Sequence, residues 1–170
     1  ATIRRKRGAK LEGTTVVFAS TPDFKGALED GWSKATTAII EAVVATESST
    51  PADALPRLNV LPGVHQTPAD IDELAETIRS FGFHPMFLPD VSGSLDGHVP
   101  DAYVGTTMGG ARLKDIAAMG QAVHTIAIGE HMRSPAEALT RRTGVAATVF
   151  PTLTGLDAVD DLVSLLQRLS

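Results

Sequence analysis

Five short apolar runs, separated by amphipathic stretches, set the rhythm of the chain. Thr14–Ala19, Leu58–Leu61, Pro85–Leu88, Thr125–Ile128 and Ala147–Phe150 are apolar or β-branched nearly throughout and end at turn residues. Runs of that kind predict buried strands. Between them, apolar positions recur at steps of three and four. Leu28, Trp32, Ala35, Ile39, Ala42 and Val43 predict a helix from Gly26 to about Ala45, and Ile71, Leu74, Ala75 and Ile78 predict a second. Thr67 should cap that second helix, with Pro68 in its first turn, Asp70 at its positive end and Gly82 closing it in a left-handed turn. Leu113, Ile116 and Ala117 mark a short helix ending near Gly120. Ser134-Pro135-Ala136-Glu137 reads as a capping box opening a helix that runs to Gly144. Leu156 to Leu169 line a last helix, with Thr154 as its cap, and Ala102–Val104 reads as a weak extended piece.

Strand and helix thus alternate five times. Strands without polar alternation belong to a parallel sheet covered on both faces. The expected fold class is α/β: a doubly wound, mostly parallel sheet with helices on both faces. The expected organisation is a tail of a truncated segment over residues 1–13 and a single α/β domain over 14–170, itself a fragment of a longer subunit.

Composition narrows the function. At 170 residues the chain suits one domain with a sizeable core. Its formal charge of −5 argues against a general nucleic-acid binder. Arg4, Arg5, Lys6, Arg7 and Lys10 crowd the first segment, where a solvated helix end explains them as well as a phosphate contact does. The sequence holds no cysteine, which excludes disulfides, thiolate metal sites and a thiol nucleophile within it. No apolar run approaches the roughly 20 residues of a membrane span, and no signal-peptide pattern opens the chain. A soluble, cytoplasmic protein that binds neither nucleic acid nor membrane is expected.

Ligands of such sheets gather at the carboxyl ends of the strands. The residues expected there are Thr21 to Phe24, Pro62 to His65, Asp90 to His98, Thr106 to Gly110, and Glu130 with His131. Thr106-Thr107-Met108-Gly109-Gly110 precedes a helix and could hold phosphate on backbone N–H groups, but neither a G-x-G-x-x-G after the first strand nor a P-loop is present. His65, His98, His131, Asp90 and Glu130 offer metal-ligand chemistry without any metal-ligand spacing. Ser92 and Ser94 lie near Asp90, Asp96 and His98, but no nucleophile elbow is present. Glu29-Asp30 and Asp160-Asp161 read as helix-surface charges rather than paired catalytic carboxylates.

Several ordered motifs carry a resemblance. Val17-Phe18-Ala19-Ser20-Thr21-Pro22-Asp23-Phe24-Lys25-Gly26 with Leu28-Glu29-Asp30-Gly31-Trp32, then Leu58-Asn59-Val60-Leu61-Pro62-Gly63, then Phe87 to His98, resemble the NifN family of nitrogenase iron–molybdenum cofactor biosynthesis proteins. Thr106 to Gly110, Ala127 to Arg133 and Leu153 to Leu156 continue the likeness in the same order. The resemblance implies the middle part of a nitrogenase component 1 type subunit built of three α/β domains. It implies a scaffold that pairs with a NifE-like subunit in an α₂β₂ assembly and receives electrons, molybdenum and homocitrate from the nitrogenase iron protein. It implies that the iron–sulfur cluster and the cofactor precursor belong to the full complex, with none in the isolated chain and no catalysis by the chain alone. Where the nitrogenase β subunit offers a serine beside its interface cluster, this chain has Asp23, so the resemblance places Asp23 near that cluster as an oxygen ligand or a hydrogen-bond acceptor; the plainer reading is a helix cap. Two other classes stay open: a self-sufficient nucleotide- or phosphate-ligand-binding α/β enzyme, and a subunit of a related reductase such as the light-independent protochlorophyllide reductase.

Overall fold

A strand needs a neighbour to share its hydrogen bonds and helices to cover its faces, and four of the five apolar runs find them. The computed structural model describes residues 12, 14–22, 24–46, 55–93, 103 and 110–170. Helix α1 spans Leu28–Val43, β1 Arg57–Leu61, α2 Pro68–Ser80, β2 His84–Phe87, α3 Leu113–Ala117, β3 Ala122–Ile128, α4 Arg133–Thr143, β4 Ala147–Phe150 and α5 Leu156–Leu169. Single 3₁₀ turns join α3 to β3 and β3 to α4. The strands form one parallel sheet in the order β2-β1-β3-β4. No described helix is long and apolar enough to cross a membrane.

Alternation along each strand divides the interior in two. Leu58, Val60, Ile126 and Ile128 face one side, where Leu74 and Ile78 of α2 and Leu162, Leu165 and Leu166 of α5 cover them. Leu61 and Ala127 face the other, against Ile40 of α1, Ile116 of α3 and Ala136 and Leu139 of α4. Each fully buried aliphatic side chain contributes about 1.5–3 kcal/mol relative to leaving it in water. Asn59 is the polar exception in β1: fully buried, it donates through Nδ2 to the Met119 carbonyl at 2.9 Å and to Thr125 Oγ1 at 3.2 Å. Its Oδ1 finds no partner among the described residues.

The edge strand β2 is blunted by its own sequence. His84 N–H donates to Pro56 O and Leu88 N–H to Val60 O, so even-numbered residues face β1 and odd-numbered ones face outward. Pro85 therefore falls on the outer edge, where a missing N–H costs no ladder bond.

Three expectations need correction. Thr14–Ala19 is not a strand: it has no pairing partner among the described residues, and Phe18 is 86% exposed. Ser134 does not cap α4, because a 3₁₀ turn at Glu130–Met132 moves the start to Arg133 and leaves Ser134 and Pro135 inside the first turn. Proline is tolerated there because first-turn N–H groups have no partner within the helix. Thr154 does not cap α5; Gly155, at φ +96°, takes that position. The Ala102–Val104 piece lies outside the described residues apart from Tyr103, which is exposed.

Candidate functional site

In an open parallel sheet a crevice opens at the carboxyl ends of two adjacent strands where the winding direction reverses. Here that point lies between β1 and β3. The helix after β1 covers one face and the helix after β3 covers the other. Pro62 to His65 and Gly129 to His131 form the two lips.

Both lips require glycine. A Cβ on Gly63 would lie 2.6 Å from the Ile128 carbonyl and 2.7 Å from His65 Cε1. Gly129 holds φ +93°, which L side chains rarely adopt, and a Cβ there would meet His131 Cε1 at 2.5 Å. Gln66 then closes the β1 lip by accepting the Gly63 N–H at 2.8 Å. Trp32 ties α1 to the same lip, donating Nε1–H to the Pro62 carbonyl at 3.0 Å.

His131 bridges the crevice. Its Nε2 accepts the Val64 N–H at 3.2 Å, which leaves the ring proton on Nδ1 when the imidazole is neutral. Nδ1 faces the Glu29 carboxylate at 3.9 Å, and the side chain is 10% exposed. Burial holds His131 below the ordinary histidine pKa; Glu29 pulls it the other way, and His65 adds to the lowering. The ring is therefore neutral near pH 7, and its contact with Glu29 is a polar one rather than an ion pair. The His65 ring stands edge-on to it with centroids 6.0 Å apart.

The structure thus brings together Pro62 to His65 and His131, as the strand pattern predicts. It does not assemble a metal centre: among the described residues no three His, Asp or Glu side chains converge on one position. Glu130 turns away to Arg133, with two contacts of 2.5 and 2.9 Å, and that partner holds its carboxyl below the ordinary range. Asp90 at the end of β2 accepts from the Ser92 N–H at 3.0 Å and from Ser92 Oγ at 2.7 Å, a local turn with no histidine in it. Asp23, Ser94, Asp96, His98 and Thr106 to Gly109 lie outside the described residues. The start of the helix after Phe24 is held by another residue, since Asp30 accepts the Ala27 N–H at 2.7 Å. Sequence reasoning missed Glu29 and Trp32, which read as helix surface and helix core; their partners His131 and Pro62 lie in the turns after distant strands, and only a doubled function of α1 would have signalled them.

Comparison with known proteins places this geometry. The sequence profile described as "Nitrogenase component 1 type Oxidoreductase" matches residues 1–170. The chain belongs to the nitrogenase component 1 type oxidoreductase family. Within that family it is homologous to proteins named "Nitrogenase iron-molybdenum cofactor biosynthesis protein NifN". It is 49% identical to the Mesorhizobium japonicum protein of that name over 170 residues, covering 100% of this chain and 36% of the relative. It is 49% identical to the Rhizobium meliloti protein, covering 100% of this chain and 38% of that one. The Nostoc protein is 37% identical over 98% of this chain and 36% of its own length. The chain therefore spans little more than a third of these relatives. A solved structure described as "Nitrogenase Cp1 at pH 6.5" superposes with a TM-score of 0.79 at 22% identity, over 96% of this chain and 36% of that one. That likeness shows the nitrogenase component 1 fold.

Proposed function

We propose that the protein containing this domain is a scaffold subunit for assembly of the nitrogenase iron–molybdenum cofactor. On this reading it acts in the cytoplasm with a NifE-like subunit in an α₂β₂ complex to which the nitrogenase iron protein docks. The iron–sulfur cluster and the cofactor precursor are cargo of that complex and are not held by this chain alone. The observation that carries the reading is the match of the whole chain, at 49% identity, to proteins named for that biosynthesis. Exposed apolar side chains lend it support: Phe18 is 86%, Phe24 85% and Leu28 74% exposed, all at the approach to α1. Apolar side chains left uncovered on one stretch of surface suit contact with another chain or domain. Asp23 lies in the same stretch of sequence, and on this reading it sits beside the interface cluster of the complex.

The test is complementation. The full-length gene should restore nitrogenase activity to a diazotroph lacking its own NifN, and the product should copurify with a NifE-like subunit. A full-length protein that is expressed, folded and still fails to do either refutes the scaffold reading. In the purified complex, Asp23→Ala should alter the EPR signal of the interface cluster; an unchanged signal ends the ligand role.

A further inference from the structure

A second concave site lies apart from the crevice, along the outer edge of β2. It is a groove of about 250 Å³ between α2 and α3. Arg57 from the start of β1, Arg79 from the last turn of α2 and Arg112 at the entry to α3 all line it. We propose that this groove binds a compact dianionic oxyanion, a phosphate or a small dicarboxylate, through these three guanidinium groups.

Among the described residues the arginine–carboxylate pairs are those of Arg133 and Arg141. No carboxylate among the described residues lies within 4.0 Å of Arg57, Arg79 or Arg112, although Asp72, Asp90 and Asp115 stand on the same walls. Among the described residues Arg57 donates from Nη1 to Met86 Sδ at 3.9 Å, a weak acceptor. Asp90 spends Oδ1 on Ser92 instead. A guanidinium presents a rigid fork of donors matched to carboxylate and phosphate oxygens, so three forks on one groove form a receptor for such a group. Because three aspartates share the walls, net field is small and recognition rests on fork geometry.

The groove also rejects larger partners. An added β-strand would seek outward N–H groups on β2, but Pro85 removes one of them. The volume is also smaller than the roughly 300–1,000 Å³ of drug-sized ligand sites, which points to a small molecule. The groove's floor is firm: Met86 and Met119 line it, and directly behind them Asn59 pairs in register with Met86 and bonds the Met119 carbonyl. Anion binding in the groove and a scaffold role in cofactor assembly do not depend on each other, so either can fail alone.

The experiment is calorimetric titration of the 170-residue chain, at fixed ionic strength, with inorganic phosphate and separately with succinate. Saturable binding of one of them with a submillimolar Kd is expected, and which one binds separates the two oxyanion classes. Arg79→Ala and Arg112→Ala alter exposed side chains and should keep the ligand-free melting temperature while weakening binding about tenfold or more, close to 1.4 kcal/mol. Arg57→Lys, which keeps charge and loses the fork, should also weaken it. Arg141→Ala, on another face, should leave it unchanged. Absence of saturable binding by both anions at about 10 mM, a Kd weaker than 4 kcal/mol supports, overturns the proposal. So does binding that the Arg79 and Arg112 variants leave intact.

Discussion

Val64 gives its N–H to an imidazole that burial keeps neutral, and that one bond fixes the tautomer of His131 and turns its proton toward Glu29. His131→Ala leaves a half-buried donor unpaired and should cost about 1–3 kcal/mol in urea denaturation. His131→Gln, whose side-chain oxygen can take the place of Nε2, should recover most of the loss. The same residue sets a pH response. His131 and His124 are both held below 6.5 by burial, so between the folded and unfolded values the unfolded chain binds more protons. Their contribution is complete above pH 6.5 and is lost as pH falls through the folded values. Denaturation midpoints measured from pH 7.5 downward should drop below 6.5 and flatten in a His124, His131 double variant. The position of His131 at the sheet's carboxyl edge was legible in the sequence, because it follows an unmistakable strand. Its partners were not: Glu29 carries an exposed position's pattern, and no local periodicity encodes a contact across the whole domain.

At the scale of elements, a boundary was legible wherever its chemistry is local. Thr67 and Asp70 cap α2 reciprocally, with Asp70 accepting the Thr67 N–H at 2.7 Å and Thr67 Oγ1 accepting the Asp70 N–H at 3.3 Å. Thr67→Ala should therefore destabilise the fold by about 1 kcal/mol, read as a shift in thermal or urea midpoint. Gly82 takes the positive φ expected of it after α2, and Gly144, where α4 was expected to end, takes one too. Where a boundary depends on the preceding turn, the sequence misleads: the 3₁₀ turn before α4 displaces its start by more than a residue, and no capping motif reports it. Thr14–Ala19 fails for a deeper reason. Composition supplies the preference for extended backbone, but a strand exists only where a neighbour shares its hydrogen bonds, and preference cannot name the neighbour.

For the molecule as a whole, parallel architecture was legible from strands apolar on both faces, while strand order was not, since it depends on which way each crossover turns. The two interiors make different demands on side chains, yet each should behave as a packed solid. Leu139 and Ile126 are fully buried in opposite layers. Leu139→Ala and Ile126→Ala should each cost about 2–5 kcal/mol, and, being separated by the sheet, their effects should nearly add in a double variant. The two borders of that sheet are unequal in a way that gives the molecule a direction. On the β2 side the outward row is interrupted by Pro85; on the β4 side Ala147 and Val149 keep unbroken amides on theirs. Lateral growth, whether by the same polypeptide or by a neighbour, would thereby be steered to the β4 flank.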